Sequence, residues 1–311
     1  MTPQHEPRAL VVGEALVDAV RRPDGDRSEH PGGSPANVAI GLGRLGRRVD
    51  LLTWLAADAH GDQVREHLAG SDVHVLTGDR VPERTAVATA HLDATGAATY
   101  DFDLTWDLPA SFAEDDGDPL VVHTGSIAVV LEPGAAAVAH LVEQRRAVAT
   151  ITYDPNLRPA LMGSPAVAGP PVEHLVGLAD VVKVSDEDLA WLYPGVVPVE
   201  IARDWVSRGA ALVVVTLGGE GALAVTAAGD ELSIEAPRVT VADTVGAGDS
   251  FMAGLIDGLW SADLLGADAR ERLHVIDAPT VERILARCVR IAAITVSRPG
   301  ANPPRTTELE D

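Results

Sequence analysis

The sequence predicts an α/β fold: a doubly wound, mostly parallel sheet flanked by helices, with a small antiparallel β lid set into it. Three observations point there. Short, unbroken apolar runs rich in β-branched residues recur along the chain, as strands buried on both faces require. Segments with helical periodicity alternate with them, the pattern of strand–helix–strand units. Two stretches, about residues 15–31 and 83–104, break that alternation with strand patterns that have no helix between them.

The elements follow in order. Residues 9–12 form the first buried strand, and 16–30 read as paired strands. A helix over 36–45, a strand over 49–54 and a helix over 61–68 come next. Residues 85–92 and 97–102 flank Asp93-Ala94-Thr95-Gly96, a hairpin turn signal. These inserted strands read as a lid or a dimerisation flap; the alternative is an antiparallel extension of the main sheet. Acidic residues 114–118 form an exposed connection. Strands over 120–124, 148–153, 181–184 and 212–216 then alternate with helices over 134–146, 186–192 and 200–208. Helices over 248–260 and 280–297 close the fold. Proline and glycine make 162–171, 193–198 and 299–304 loops. No loop is long enough to be a linker and no repeat is present, so residues 1–311 are expected to form one domain carrying the lid.

Composition excludes several classes of function. The chain has 311 residues, 46% of them hydrophobic, which is a globular composition. Its 24 basic side chains face 46 acidic ones, a net charge of −22 that repels a polyphosphate backbone, so nucleic acid is not an expected partner. Lys183 is the only lysine, which excludes a G-x-x-x-x-G-K-[ST] phosphate loop. A single cysteine, Cys288, excludes an internal disulfide framework and a multi-cysteine zinc site. No run of 18 apolar residues predicts a membrane span, and residues 1–7 lack a signal-peptide core, so a cytoplasmic location is expected.

The most informative stretch is Asp243-Thr244-Val245-Gly246-Ala247-Gly248-Asp249-Ser250-Phe251, running into a helix of small residues. Gly246, Ala247 and Gly248 at a helix start leave backbone N–H groups unpaired, and with the helix dipole these favour an anion. Asp249 would repel a phosphate. It either accepts a proton from a substrate hydroxyl beside that phosphate or caps the helix, and the residues alone leave both readings open. Gly41-Leu42-Gly43-Arg44-Leu45-Gly46 also fits the G-x-G-x-x-G dinucleotide pattern. It falls at the end of a helix rather than between strand and helix, so its glycines read as packing and termination.

The stretch 243–251 resembles the C-terminal signature of the ribokinase-like (PfkB) sugar kinases. Gly32-Gly33-Ser34-Pro35-Ala36-Asn37-Val38-Ala39, followed by Gly41–Gly46, resembles the other signature of that family. Both occur in the right order, and the resemblance extends from Val11 to Pro304. It implies a ribokinase-like fold and an ATP-dependent sugar kinase in which Asp249 is the catalytic base and Gly246, Ala247 and Gly248 form the anion hole. Asp18, beyond the first strand, is implied to bind sugar hydroxyls, with Gly32, Gly33 and Asn37 across from it. Tyr100 and Phe102 lie in the lid, where they cover the sugar or pack against a second subunit. Asp154-Pro155-Asn156-Leu157-Arg158 resembles the Asp-Pro-Asn-x-Arg motif of members acting on fructose or 2-keto-3-deoxygluconate, and Arg158 is a candidate substrate ligand.

On the nucleotide side the resemblance points to Lys183 at the end of the 181–184 strand and to Ser185 and Asp188 after it. The family commonly carries Asn and Glu where Ser185 and Asp188 stand; Asp188 is expected to reach Mg²⁺ through water, and Ser185 also suits a helix N-cap. Thr216, Gly218, Gly219 and Gly221 resemble the nucleotide loop. Asp243 is a candidate for a monovalent cation such as K⁺. The implied substrates are ATP with Mg²⁺ and a sugar, most simply fructose; 2-keto-3-deoxygluconate kinase, nucleoside kinase and a non-catalytic sugar- or nucleotide-binding protein are the alternatives. A homodimer through the lid is expected.

Overall fold

The computed structural model describes residues 6–76, 78–93, 98–109, 111–113 and 117–310. The chain starts with β1 (Ala9–Val12), makes a β pair, β2 (Leu16–Arg21) and β3 (Arg27–Gly32), and enters α1 (Ser34–Arg44). Then come β4 (Val49–Leu52), α2 (Ala59–Ala69), β5 (Val73–Leu76) and a second β pair, β6 (Val87–Leu92) and β7 (Ala98–Asp103). A regular alternation follows: β8 (Val121–Gly125), α3 (Gly134–Arg145), β9 (Thr150–Asp154), α4 (Pro159–Met162), α5 (Pro165–Leu178), β10 (Val181–Ser185), α6 (Asp186–Leu192), α7 (Pro198–Ser207) and β11 (Leu212–Thr216). After these lie β12 (Ala222–Thr226), β13 (Glu231–Ile234), α8 (Ala247–Ser261), α9 (Arg270–His274) and α10 (Ala278–Val296).

Nine strands form one sheet in the order β13-β12-β11-β10-β9-β8-β1-β4-β5. From β11 to β5 every pairing is parallel; β12 and β13 are added antiparallel. The chain leaves β1 first towards β4 and β5 and later continues on its other side through β8, β9 and β10. The strand order therefore reverses between β1 and β8, and ligands of such sheets sit beyond the carboxyl ends at that point.

Alternation along the strands divides the core in two. In β1, Ala9 and Val11 face one side and Leu10 and Val12 the other. The first side packs on α1, α2, α8 and α10 through residues such as Ile40, Val64, Phe251, Leu255 and Leu285. The second packs on α3, α5 and α7 through Val138, Leu175, Ile201 and Trp205. With both faces covered, the strands carry continuous apolar runs, which is why they were readable from sequence. β5, β12 and β13 were not: β5 has exposed and half-buried residues between its buried ends, β12 lies behind a glycine turn, and the residues of β13 alternate between exposed and half-buried.

The two inserted β pairs form a separate four-stranded sheet, β3-β2-β6-β7. Each pair is antiparallel, and the two join through a parallel β2–β6 contact. Of the expected turn at 93–96, residues 94–96 lie outside the described residues, as do 114–116 of the acidic connection.

One expectation is corrected. Residues 162–171 are mostly helical, divided between α4 and α5. Pro159 and Pro165 stand in first turns, where no N–H is needed. Pro170 and Pro171 are inside α5, and an interior proline costs about 3 kcal/mol. Ala168, Val172, Leu175 and Val176 are buried on the same helix. Burying one Val or Leu contributes about 1.5–3 kcal/mol, so tertiary packing outweighs the local signal.

Candidate active site

The site is built on the first turn of α8. Gly246, its N-cap, has a left-handed φ of 76°, and a Cβ there would stand 2.6 Å from Ala301 Cβ, so the position suits glycine alone. Ala247 and Gly248 start the helix, whose first N–H groups have no intrahelical acceptor. A Cβ on Gly248 would lie 2.8 Å from Lys183 Nζ, which places the ammonium directly against the turn. Lys183 is 3% exposed and donates to Asp154 Oδ2 at 2.9 Å. It is thus a buried, paired cation.

Asp249 is buried in the same turn and braced from two other elements. Its Oδ1 accepts from Ser34 Oγ at 2.7 Å and Asn156 Nδ2 at 3.2 Å, and its Oδ2 from Asn37 Nδ2 at 2.8 Å. Ser34 and Asn37 are three residues apart on α1, hence on one face of that helix. The cap position belongs to Gly246 and has no side-chain bond, so Asp249 is not the N-cap. Asn37, expected across from Asp18, places its amide on Asp249. Ser34 and Asn156 were missed as its partners.

At the other end of the cleft, Gly33 has a φ of 107°, and a Cβ there would lie 2.5 Å from the Glu14 carbonyl oxygen. Gly33 is therefore required by close approach, whereas a Cβ on Gly32 would meet only the movable Asp18 carboxylate. Asp18 lies exposed on β2. Desolvation by nearby protein raises its carboxyl pKa, and Arg158 and His30 oppose the rise. Cross-strand register sets His30, Asp18, Ala88 and Phe102 in line, so half-buried Phe102 shares the face of Asp18. Tyr100 pairs with Ala90 in β7, and its side chain lies outside the described ones. Arg158 Nη1 bonds to Asn156 Oδ1 at 2.7 Å and to the carbonyls of Asn156 and Leu157, folded onto its own loop.

Glu14 is the residue sequence reasoning passed over. It follows β1 at the point where strand order reverses, is 5% exposed, and its Oε2 has no hydrogen-bond partner among the described residues. Burial pushes its carboxyl up to about 7, against the pull of Ser126 and Arg158. Asp154 is similar: its Oδ1 has no partner among the described residues, and burial holds its carboxyl up at about 6 despite Lys183, with Asp188 and Asp249 adding to the rise. His123, one strand away, bonds Thr152 Oγ1 and is pushed down to about 3 by burial and by Lys183, so it packs as a neutral ring.

The nucleotide-side residues lie along the ends of β10 and β11. Ser185 caps α6 by accepting from Asp188 N at 3.0 Å, and Asp188 Oδ1 accepts from Leu157 N at 3.0 Å, which ties α6 to the loop after β9. Thr216 Oγ1 donates to the Val184 carbonyl. Gly218 and Gly219 would point a Cβ into open space, while Gly221, with φ 109°, is closed in by Ile234 O. Asp243 accepts from Val245 N at 3.0 Å and Gly300 N at 2.9 Å, and these bonds hold its carboxyl below the usual range. It thereby locks the 243–246 loop to the 300 loop. Among the described residues no three His, Cys, Asp or Glu side chains are grouped to hold a metal directly, and no helix is long and apolar enough to cross a membrane.

Fold and site together define an α/β protein with a glycine-rich helix start, its first N–H groups without intrahelical acceptors, and a braced carboxylate at the carboxyl edge of its sheet. Residues 7–308 match the pfkB family carbohydrate kinases, and the chain belongs to that family. It is 34% identical over 270 residues to a fructokinase of Rhizobium leguminosarum bv. trifolii, covering 82% of this chain and 81% of that protein. It is 32% identical over 320 residues to a fructokinase of Escherichia coli, covering 97% and 98%. Among solved structures, a double mutant of the Vibrio cholerae O395 fructokinase in its fructose-, ADP- and potassium-bound form superposes with a TM-score of 0.78 at 25% identity, covering 97% of each chain.

Proposed function

We propose that this chain is an ATP-dependent fructokinase that transfers the γ-phosphoryl group of ATP to a hydroxyl of fructose. The observation that carries the reading is Asp249, fixed by three side chains beside the N–H groups of the α8 turn. The relatives named as fructokinases supply the substrate. A carboxylate offers about four lone-pair sites. Three are used, one of them on Oδ2, so Oδ2 keeps a site for the substrate hydroxyl. As the hydroxyl oxygen bonds to the γ-phosphorus, its proton passes to Asp249 and the bond to the β–γ bridging oxygen breaks, releasing ADP. The N–H groups of the turn and Lys183 meet the charge on the phosphoryl oxygens.

Asp18 and the backbone at Gly32 and Gly33 hold the sugar, and Arg158 unfolds from its loop onto substrate oxygens. Phe102 covers the sugar, and closure of the β2, β3, β6 and β7 sheet keeps water from the phosphate. Thr216, Gly218, Gly219 and Gly221 form the nucleotide loop. The unpartnered Oδ1 of Asp154 beside Asp188 suits the water shell of a divalent cation, so these residues would hold Mg²⁺. Mg²⁺ on the ATP phosphates supplies further charge neutralisation when bound. Asp243, by joining two loops, sets carbonyls near Val245, Thr295 and Gly300 for a K⁺ ion. A homodimer through the lid sheet completes the proposal, and sedimentation of the free chain tests it.

The decisive experiment measures ADP release with Mg²⁺ and K⁺ across fructose, 2-keto-3-deoxygluconate, ribose, tagatose and adenosine. Selective turnover of fructose supports the proposal. Preference for 2-keto-3-deoxygluconate, whose carboxylate would answer Arg158, replaces the substrate and keeps the mechanism. No turnover on any of them favours a binding protein.

A further inference from the structure

The proposed chemistry leaves Gly41-Leu42-Gly43-Arg44-Leu45-Gly46 without a task, yet these residues lead back to the α8 turn. A Cβ on Gly41 would stand 2.5 Å from Ala253 Cβ, so α1 and α8 lie in close contact. A Cβ on Gly43 would strike the Ser71 carbonyl oxygen. The one polar side chain of the segment is Arg44. Its Nε donates to Ser71 Oγ at 3.1 Å, and its Nη1 donates to Asn302 Oδ1 and, at 2.7 Å, to the Pro303 carbonyl.

Asn302 N donates to Gly300 O at 2.8 Å, which folds residues 300–302 into a tight turn with Ala301 at its tip. Ala301 fills the space that a Cβ of Gly246 would need. Gly300 N is held by Asp243 Oδ2 at 2.9 Å. The turn that abuts the cap of α8 is thus gripped twice, by a carboxylate at Gly300 and by a guanidinium at Asn302 and Pro303. Stability alone gives little reason for an arginine here. Burial disfavours its charge, as do Arg305 and Arg298, while Glu308 favours it. What the guanidinium offers is a rigid planar fork that ties Ser71, Asn302 and Pro303 together. The other bonds of this tail, Arg298 to Glu308 and Arg305 to Gly70 O, involve none of residues 300–303.

We propose that Arg44 is a positioning residue for phosphoryl transfer: by holding the 300–303 turn against Gly246, it keeps the N–H groups of the α8 turn aimed where the transferred phosphate would sit. This role in transfer rests on the sugar-kinase reading above, whereas the hold on the turn does not. α1 then serves the reaction from both ends. Ser34 and Asn37 in its first turn brace Asp249, and Arg44 in its last turn braces the donors beside that carboxylate. The two glycine-rich motifs, far apart in sequence, act as one unit. A misplacement of about 1 Å in such donors is enough to slow transfer strongly.

The test combines steady-state kinetics with backbone hydrogen exchange of the full chain. The variants are Arg44→Gln, Arg44→Lys, Asn302→Ala, and Arg44→Gln combined with Asn302→Ala. Arg44→Gln should lower kcat about 10–100-fold and leave the sugar KM within about twofold. Exchange at the Ser250 and Gly300 amides, which are bonded to Gly246 O and Asp243 Oδ2, should quicken about tenfold. Amides of β10 and β11 should exchange as before, which separates loosening of the turn from weakening of the whole fold. Arg44→Lys should recover part of both effects, and the combined variant should be no worse than the more damaged single one. Unchanged exchange at Ser250 and Gly300 overturns the hold on the turn. Faster exchange with unchanged kcat overturns its role in transfer, and faster exchange throughout the sheet shows a merely structural part and overturns the proposal as well. An unsubstituted chain that phosphorylates no sugar overturns the sugar-kinase reading and with it the role in transfer, while exchange still shows whether Arg44 holds the turn.

Discussion

Where α8 begins, polar groups are buried and braced across the fold; on the lid side they stand in water and lean on their own segment. Asp249 takes bonds from α1 and from the loop after β9, and Lys183 is paired with Asp154 beneath the turn. Asp18 is exposed on a sheet of its own, and Arg158 is held by its own loop. The difference matches the demands that the proposed reaction would put on each end. Phosphoryl transfer is the same reaction whatever the acceptor, and it gains from donors and an acceptor fixed in advance. A sugar site must open, fill and close, which calls for groups with few prior commitments.

Asp249→Asn probes the braced end most directly. Under the proposed chemistry it lowers kcat about 10²–10⁴-fold with little change in melting temperature; a loss of only a few-fold would remove Asp249 as the base. Lys183→Met attacks the brace instead. Breaking a buried pair from one side costs about 3–5 kcal/mol, so thermal unfolding should fall sharply and recover in part with Asp154→Asn added. Equal melting of all three forms would show that the pair contributes nothing.

Glu14 sharpens the comparison through pH. Its carboxyl titrates near 7 in the fold against 4.5 ordinarily. The folded state therefore holds a proton that the unfolded chain has lost, and stability falls as pH rises between those values. The span is worth about 3 kcal/mol. Glu14→Gln should flatten that part of the stability curve, while Asp154, raised to about 6, keeps a slope of its own. An unaltered curve would mean that Glu14 ionises normally. The smallest effect belongs to the open end: Asp18→Ala should raise KM for the sugar about 10–100-fold, since bonds to a charged group are worth about 1.5–3 kcal/mol. Its melting temperature should stay unchanged, and a large drop would show that the lid end is braced as well.

Strands buried on both faces and the turn at 246–249 were legible because each is written in consecutive residues. The bracing of Asp249 was not, since Ser34 and Asn156 reach it from positions 215 and 93 residues away. Ser34 did carry a signal, standing one helical turn before Asn37. Glu14 offered none: a glutamate between glycine and alanine looks like a turn residue until Ser126, just after β8, bonds to it in the fold. α5 was hidden by prolines whose cost only the packed core could outweigh.

Lys183 is the chain's only ε-amine, and it lies under Gly248 with almost no solvent contact. Acylating reagents that seek lysines therefore find none on the folded surface. The rate at which this one side-chain amine becomes modified is a direct clock for opening of the α8 turn, readable by mass of the peptide that contains it and without an engineered label.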